Sequence, residues 1–165
     1  MEDLVAQVRA ASASSLYYVA LLTALALTDM CGALESEDGI ANGRRYADWF
    51  DRHVAPAYKG SLKGASAYQF RCSLLHQGAT QNSSNMYSHL LFVEPGASTN
   101  FFHNNVLNDA LNVDVRQFCE DMCRAVENWL PAARALPAFQ RNFERFVRRH
   151  PDGLAPYIVG VPVVG

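Results

Sequence analysis

Arg71 and His76 lie five residues apart in the stretch YQFRCSLLHQG, Tyr68 to Gly78. The stretch reads as an apolar helix over about 66–77 that stops at Gly78, a C-terminal cap. A histidine in the last helical turn faces unpaired carbonyls and the negative end of the macrodipole, which favour the imidazolium. An arginine adds a planar fork of N–H donors that matches phosphate oxygens. An acid–base group beside an anion clamp suits cleavage of an RNA phosphodiester by its own ribose 2′-hydroxyl, with no metal and no cofactor. Five helical residues turn about 140° around the axis, so the two side chains do not stack and the arginine must wrap toward the histidine. Both residues also have a plain structural use. Arg71 can pair with a core acid and His76 can cap carbonyls.

Asp29 and Glu35 supply candidate acids. They lie at or just beyond the end of LYYVALLTALALTDM, Leu16 to Met30, the most apolar run in the chain. An acid on a buried helix is costly unless paired, and Arg71 is the candidate partner. Such a pair would orient the guanidinium for phosphate, or lock two helices together. A second basic group occurs in AFQRNFERFVRRH, 138–150. Phe139, Phe143 and Phe146 form one helical stripe, and Arg141, Arg145, Arg148 and Arg149 form another about 200° away. Five arginines against Glu144 over 134–150 leave a local charge of +4. That stripe is an RNA-binding candidate or a solvated face.

The elements that must position these residues are mostly helical. Residues 3–14 show helical spacing of Leu4, Val5, Val8 and Ala11. A long apolar helix follows over about 15–34, then another over about 40–55 that ends at Pro56. After the helix of Arg71 comes a polar loop at 79–85. Residues 86–93 read as a strand, and a possible second strand lies near 106–113, together a small hairpin. Asp114 caps a helix over about 114–134 that Pro131 interrupts, and a last helix spans about 137–150. The glycine- and proline-rich tail 151–165 is too apolar for a solvated linker, and is expected to pack on the body or on a partner chain. The fold class is mainly α: a single helical-bundle domain over 1–150, of about five or six helices, with the hairpin inserted near 86–113.

The totals set limits. The 165 residues carry a net charge of -2, so any anion site must be local. The four cysteines, Cys31, Cys72, Cys119 and Cys123, lie in apolar stretches without paired spacing. That pattern predicts free thiols in a reducing cytoplasm and no metal site. The residues before Leu16 lack the basic region of a signal peptide, and the apolar run ends at Asp29. A buried central helix, not a membrane span, is the expectation.

The Arg71-x-x-x-x-His76 pattern on a helix resembles the signature of the HEPN superfamily, the higher eukaryotes and prokaryotes nucleotide-binding domains. The stretches DMCGALE (29–35), YADWFDRHVAP (46–56) and FRCSLLHQG (70–78) are also similar to a set of small bacterial proteins. The HEPN resemblance implies an all-α bundle that forms a homodimer, with arginine and histidine of both subunits facing one cleft. It implies a metal-independent endoribonuclease or an RNA-binding toxin or defence component, with RNA and a cognate antitoxin protein as partners. In that reading Arg71 stabilises the phosphorane charge, His76 exchanges the proton, and Asp29 or Glu35 orients them. Cys72 stands directly after the arginine, where active members often carry a polar residue. The alternative is a non-catalytic bundle that binds a protein partner or nucleotide and keeps the pair for packing. A third option is a small-molecule binder that uses the apolar interior. Accessibility separates the first two, because catalysis needs an open cleft.

Overall fold

The computed structural model describes residues 1–78, 87–96 and 102–165. The chain is mainly α-helical, with six α-helices among the described residues. Helix α1 is Glu2–Ala13 and α2 is Tyr17–Leu34. α2 buries Leu21, Leu25, Leu27, Cys31 and Leu34 on several sides. It packs against α1, against α3 (Gly43–His53), α4 (Gly64–Gln77), α5 (Val115–Ala133) and α6 (Pro137–Phe143). By length and composition alone α2 could cross a membrane, but half of it is buried inside the fold. It is the central helix that its uninterrupted apolar run predicts.

The site depends on how α3 and α4 meet α2. Asn42 caps α3 by accepting from Arg45 N at 3.0 Å, and Tyr46, Trp49 and Phe50 fill the inner face. Pro56 sits in a 3-10 turn, Ala55–Tyr58, that ends the run. α4 begins two residues before the predicted start. There Gly64 N donates to Asp51 Oδ1 at 2.7 Å, and a Cβ on Gly64 would stand 2.3 Å from the Ala47 carbonyl oxygen. Only glycine permits that approach of α4 to α3. At its other end α4 stops at Gly78 in the left-handed conformation, as its position predicts.

The strand region corrects the expected two-stranded hairpin. Strand β1 (His89–Val93) runs parallel to β3 (Ala110–Asp114), and β2 (Asn105–Leu107) is antiparallel to β3 on its other side. The segment read as one strand near 106–113 is two strands, joined through Asn108 and Asp109 at φ 48° and 61°. Asn and Asp tolerate this left-handed geometry and form the two-residue turn that matches strand twist. The polar loop read at 79–85, Met86 at the start of the first predicted strand, and residues 97–101 lie outside the described residues.

Asp114 caps α5 by accepting from Gln117 N at 2.8 Å. The helix continues through Pro131 to Ala133, so the expected interruption is absent. Pro131 stands in the last turn, where one missing N–H disturbs little of the helix that follows. Cys119 and Cys123 are core side chains of α5, and burial pushes both thiols up, to about 12 and about 11. Arg9 joins α1 to α5 through Glu120 at 2.9 Å and Glu127 at 2.5 Å.

The last predicted helix is a second correction. α6 stops at Phe143, and residues 149–150 form strand β4, paired with β7 (Val163–Val164). Strands β5 (Gly153–Leu154) and β6 (Ile158–Val159) pair inside that loop. Arg148 and Gly165 exchange two backbone hydrogen bonds, which draws the chain out of helix. The helix stops where Asn142 is used elsewhere. Its Nδ2 donates to the carbonyls of Ala33, Leu34 and Ser36, the open end of α2, at 3.3, 3.1 and 2.7 Å.

Candidate functional site

Asp29 on α2 and Arg71 on α4 meet across the helix pair. Arg71 Nε donates to Asp29 Oδ2 at 2.7 Å, and both side chains are largely but not fully buried. This fixes the root of the guanidinium. Arg71 Nη1 then lies 3.3 Å from His76 Nε2, so the arginine wraps along its own helix as the 140° offset requires. A guanidinium only donates, so this contact is a hydrogen bond only when Nε2 is the acceptor. His76 is exposed, at the end of α4.

The two charged partners respond differently to their setting. At Asp29, burial outweighs the Arg71 charge and hydrogen bond and raises the carboxyl above the usual carboxylate value. At Arg71, burial opposes the charge, but the Asp29 charge with hydrogen bonds to Cys72 and Asp29 raises it further. The guanidinium is therefore permanently charged, and the carboxylate is held ionised at some cost.

Behind this pair lies a polar layer that the sequence reading did not assign. Arg71 Nη1 is also 3.8 Å from Cys72 Sγ. Tyr68, one helical turn before Cys72, is shifted upward first by its hydrogen bond to that thiol and then by burial. Its ring lies 5.3 Å from Tyr46. The Tyr46 and Thr28 hydroxyls are both buried, and burial drives the Tyr46 phenol far up against the lowering effect of the neighbouring Thr28 hydroxyl. The i, i+4 spacing of Tyr68 and Cys72 was the available signal. Tyr46 gave none, because its place on the α3 apolar face accounts for it.

The other candidates fall elsewhere. Glu35 accepts from Trp129 Nε1 at 3.1 Å and pairs with Arg52. The expectation that it could orient Arg71 is corrected. Six residues turn it about 240° from Asp29, so it faces α3 and α5 rather than Arg71. With Arg52, Asp48 and Asp51 it lines an open cleft of about 640 Å³. The four arginines do not form one helical stripe, because the helix ends between them. Arg141 on α6 donates to the Glu37 carbonyl at 2.8 Å. Arg145, in the next turn, reaches Asn142 Oδ1 at 3.4 Å. Arg148 lies over the Phe143 ring at 5.8 Å, and Arg149 is in β4. The phenylalanine stripe persists, with ring spacings of 5.1 and 5.4 Å along Phe139, Phe143 and Phe146.

Comparison with protein-family models, with curated proteins and with solved structures finds no match to this chain. The functional reading therefore stands on the residues and their geometry.

Proposed function

We propose that this chain is a HEPN-like, metal-independent endoribonuclease or RNA-binding toxin or defence component. It acts as a cytoplasmic homodimer built on a helical bundle, with RNA as substrate and an antitoxin protein as cognate partner. One observation carries the reading. Arg71 is anchored at Nε by Asp29, and its outer nitrogen reaches the ring of a solvent-exposed histidine. A pair kept for packing alone has no need of that opening.

Phosphate entering between Arg71 and His76 takes the guanidinium N–H groups and releases the Nε2 lone pair. In this scheme the 2′-oxygen attacks phosphorus and the bond to the 5′-oxygen breaks. A neutral His76 takes the 2′-hydroxyl proton, and a protonated His76 of the second subunit gives one to the leaving oxygen. Arg71 offsets the charge that builds on the phosphorane oxygens. The products are a 2′,3′-cyclic phosphate and a 5′-hydroxyl. RNA incubated with the purified chain in excess EDTA is expected to be cut; intact RNA, with the chain folded and dimeric, contradicts the nuclease reading.

A second reading has its own support. Asp29 ties α2 to α4 through Arg71, and the Arg71–His76 contact is already satisfied without a ligand. In that case the chain is a non-catalytic module that binds a protein partner or nucleotide, and Arg71→Ala chiefly lowers the melting temperature.

A further inference from the structure

Among the described residues, two apolar surfaces are open to solvent. One is the C-terminal arm, 151–165, where Tyr157 is 84%, Val164 74% and Val159 70% exposed. Its strands are two residues long, too short to hold an arm by themselves. The other is a groove of about 200 Å³ between α2, α4 and β1, lined by Tyr17, Tyr18, Leu21, Leu74 and Leu91. Tyr18 there is 75% exposed, and Leu16 and Val19 beside it on the chain are each more than half exposed. Clustered apolar exposure of this kind marks an interaction surface.

Both surfaces are apolar, and one pairing of opposite charges is available between them. The groove carries Glu94 on its lining. The root of the arm carries Arg148 and Arg149, both exposed. We infer that the arm of one copy docks in the α2–α4–β1 groove of a second copy. This rests on the homodimer proposed above and names the surface that forms it. Arm and groove are different patches, so a two-fold pair makes the contact twice, each copy giving an arm and receiving one. Leu74 and Leu75 lie between Arg71 and His76 on α4, so the partner arrives beside the candidate site.

Light scattering at micromolar concentration tests this with Val159→Asp on the arm and Leu91→Asp in the groove. Both side chains are exposed in the single chain, and circular dichroism checks that the variants fold. Wild type is expected at twice the chain mass, with each variant dissociating at least about tenfold more readily. Mixing the two variants is expected to restore dimers, because the groove of one and the arm of the other remain intact. A monomeric wild type overturns both the arm and the homodimer. A Val159→Asp chain as dimeric as wild type overturns the arm contact alone, as does a mixture no more dimeric than its components.

Discussion

Asp29 and Arg71 form a 2.7 Å ion pair between the central helix and the helix of His76, and burial raises the pKa of the acid despite that partner. The sign matters. A carboxyl raised above its unfolded value opposes folding while it is ionised. That penalty is present at neutral pH and is relieved as pH falls through the folded-state value. Asp29→Asn copies the protonated form. It is expected to leave the melting temperature at pH 7 unchanged or higher, and to flatten the acid-side dependence of stability. RNA cleavage should fall about ten- to hundredfold as Arg71 loses its anchor. A clear drop in melting temperature at pH 7 would make the pair a stabilising lock instead.

Arg9 behaves in the opposite way. Its hydrogen bonds hold Glu120 and Glu127 below the usual carboxylate range. Their stabilisation is present above the unfolded carboxylate pKa and is lost as pH falls through the folded values. Arg9→Met should therefore lower stability near neutral pH and converge with wild type in acid. Because these carboxylates are mostly solvent-exposed, the difference should also shrink in high salt. Denaturant titrations at several pH values measure it.

Asn142 serves as a cap for a helix that is not its own. Asn142→Ala strips the shared donor from the last two α2 carbonyls and from Ser36 just beyond, and is expected to cost about 2–3 kcal/mol. For a chain of this size that is a fall of about 5–10 °C in melting temperature. Asn142→Asp should be worse, since a carboxylate would face carbonyl oxygens. Equal melting temperatures for wild type and Asn142→Ala would remove the capping role.

Gly64→Ala tests the approach of α3 to α4. The added methyl would meet the Ala47 carbonyl oxygen at 2.3 Å, so α4 must move or the Asp51 hydrogen bond must break. A loss of about 3 kcal/mol is expected by chemical denaturation, more than any gain in helix propensity returns. An unchanged midpoint would show that the contact is loose.

Much of this fold is legible in the sequence. The apolar run of α2, the cap at Asp114 and the glycine stop at Gly78 follow from local chemistry, and the Asp29–Arg71 partnership follows from the cost of an unpaired acid on a buried helix. What was not legible depends on distant contacts. Nothing near Phe143 in sequence reveals that Arg148 pairs with Gly165, and helical periodicity runs on past the end of α6 into 144–150. The turn at Asn108–Asp109 lies inside an apolar run, which makes two strands read as one. Glu35 is close to Asp29 in sequence, yet a rotation of about 240° around the helix separates their faces. Nothing in the sequence sets Tyr46 and Thr28 apart from core residues; their placement together behind Arg71 depends on how α2 meets α3.

The central claim is that Arg71 and His76 act on an RNA phosphodiester. Its most direct test is end-group analysis of RNA incubated in excess EDTA with wild type, Arg71→Ala and His76→Ala, each shown to be folded. The account predicts 2′,3′-cyclic phosphate and 5′-hydroxyl ends from wild type, and rates at least about a hundredfold lower from both variants. Cleavage that survives in either folded variant, or no cleavage by wild type, would contradict it.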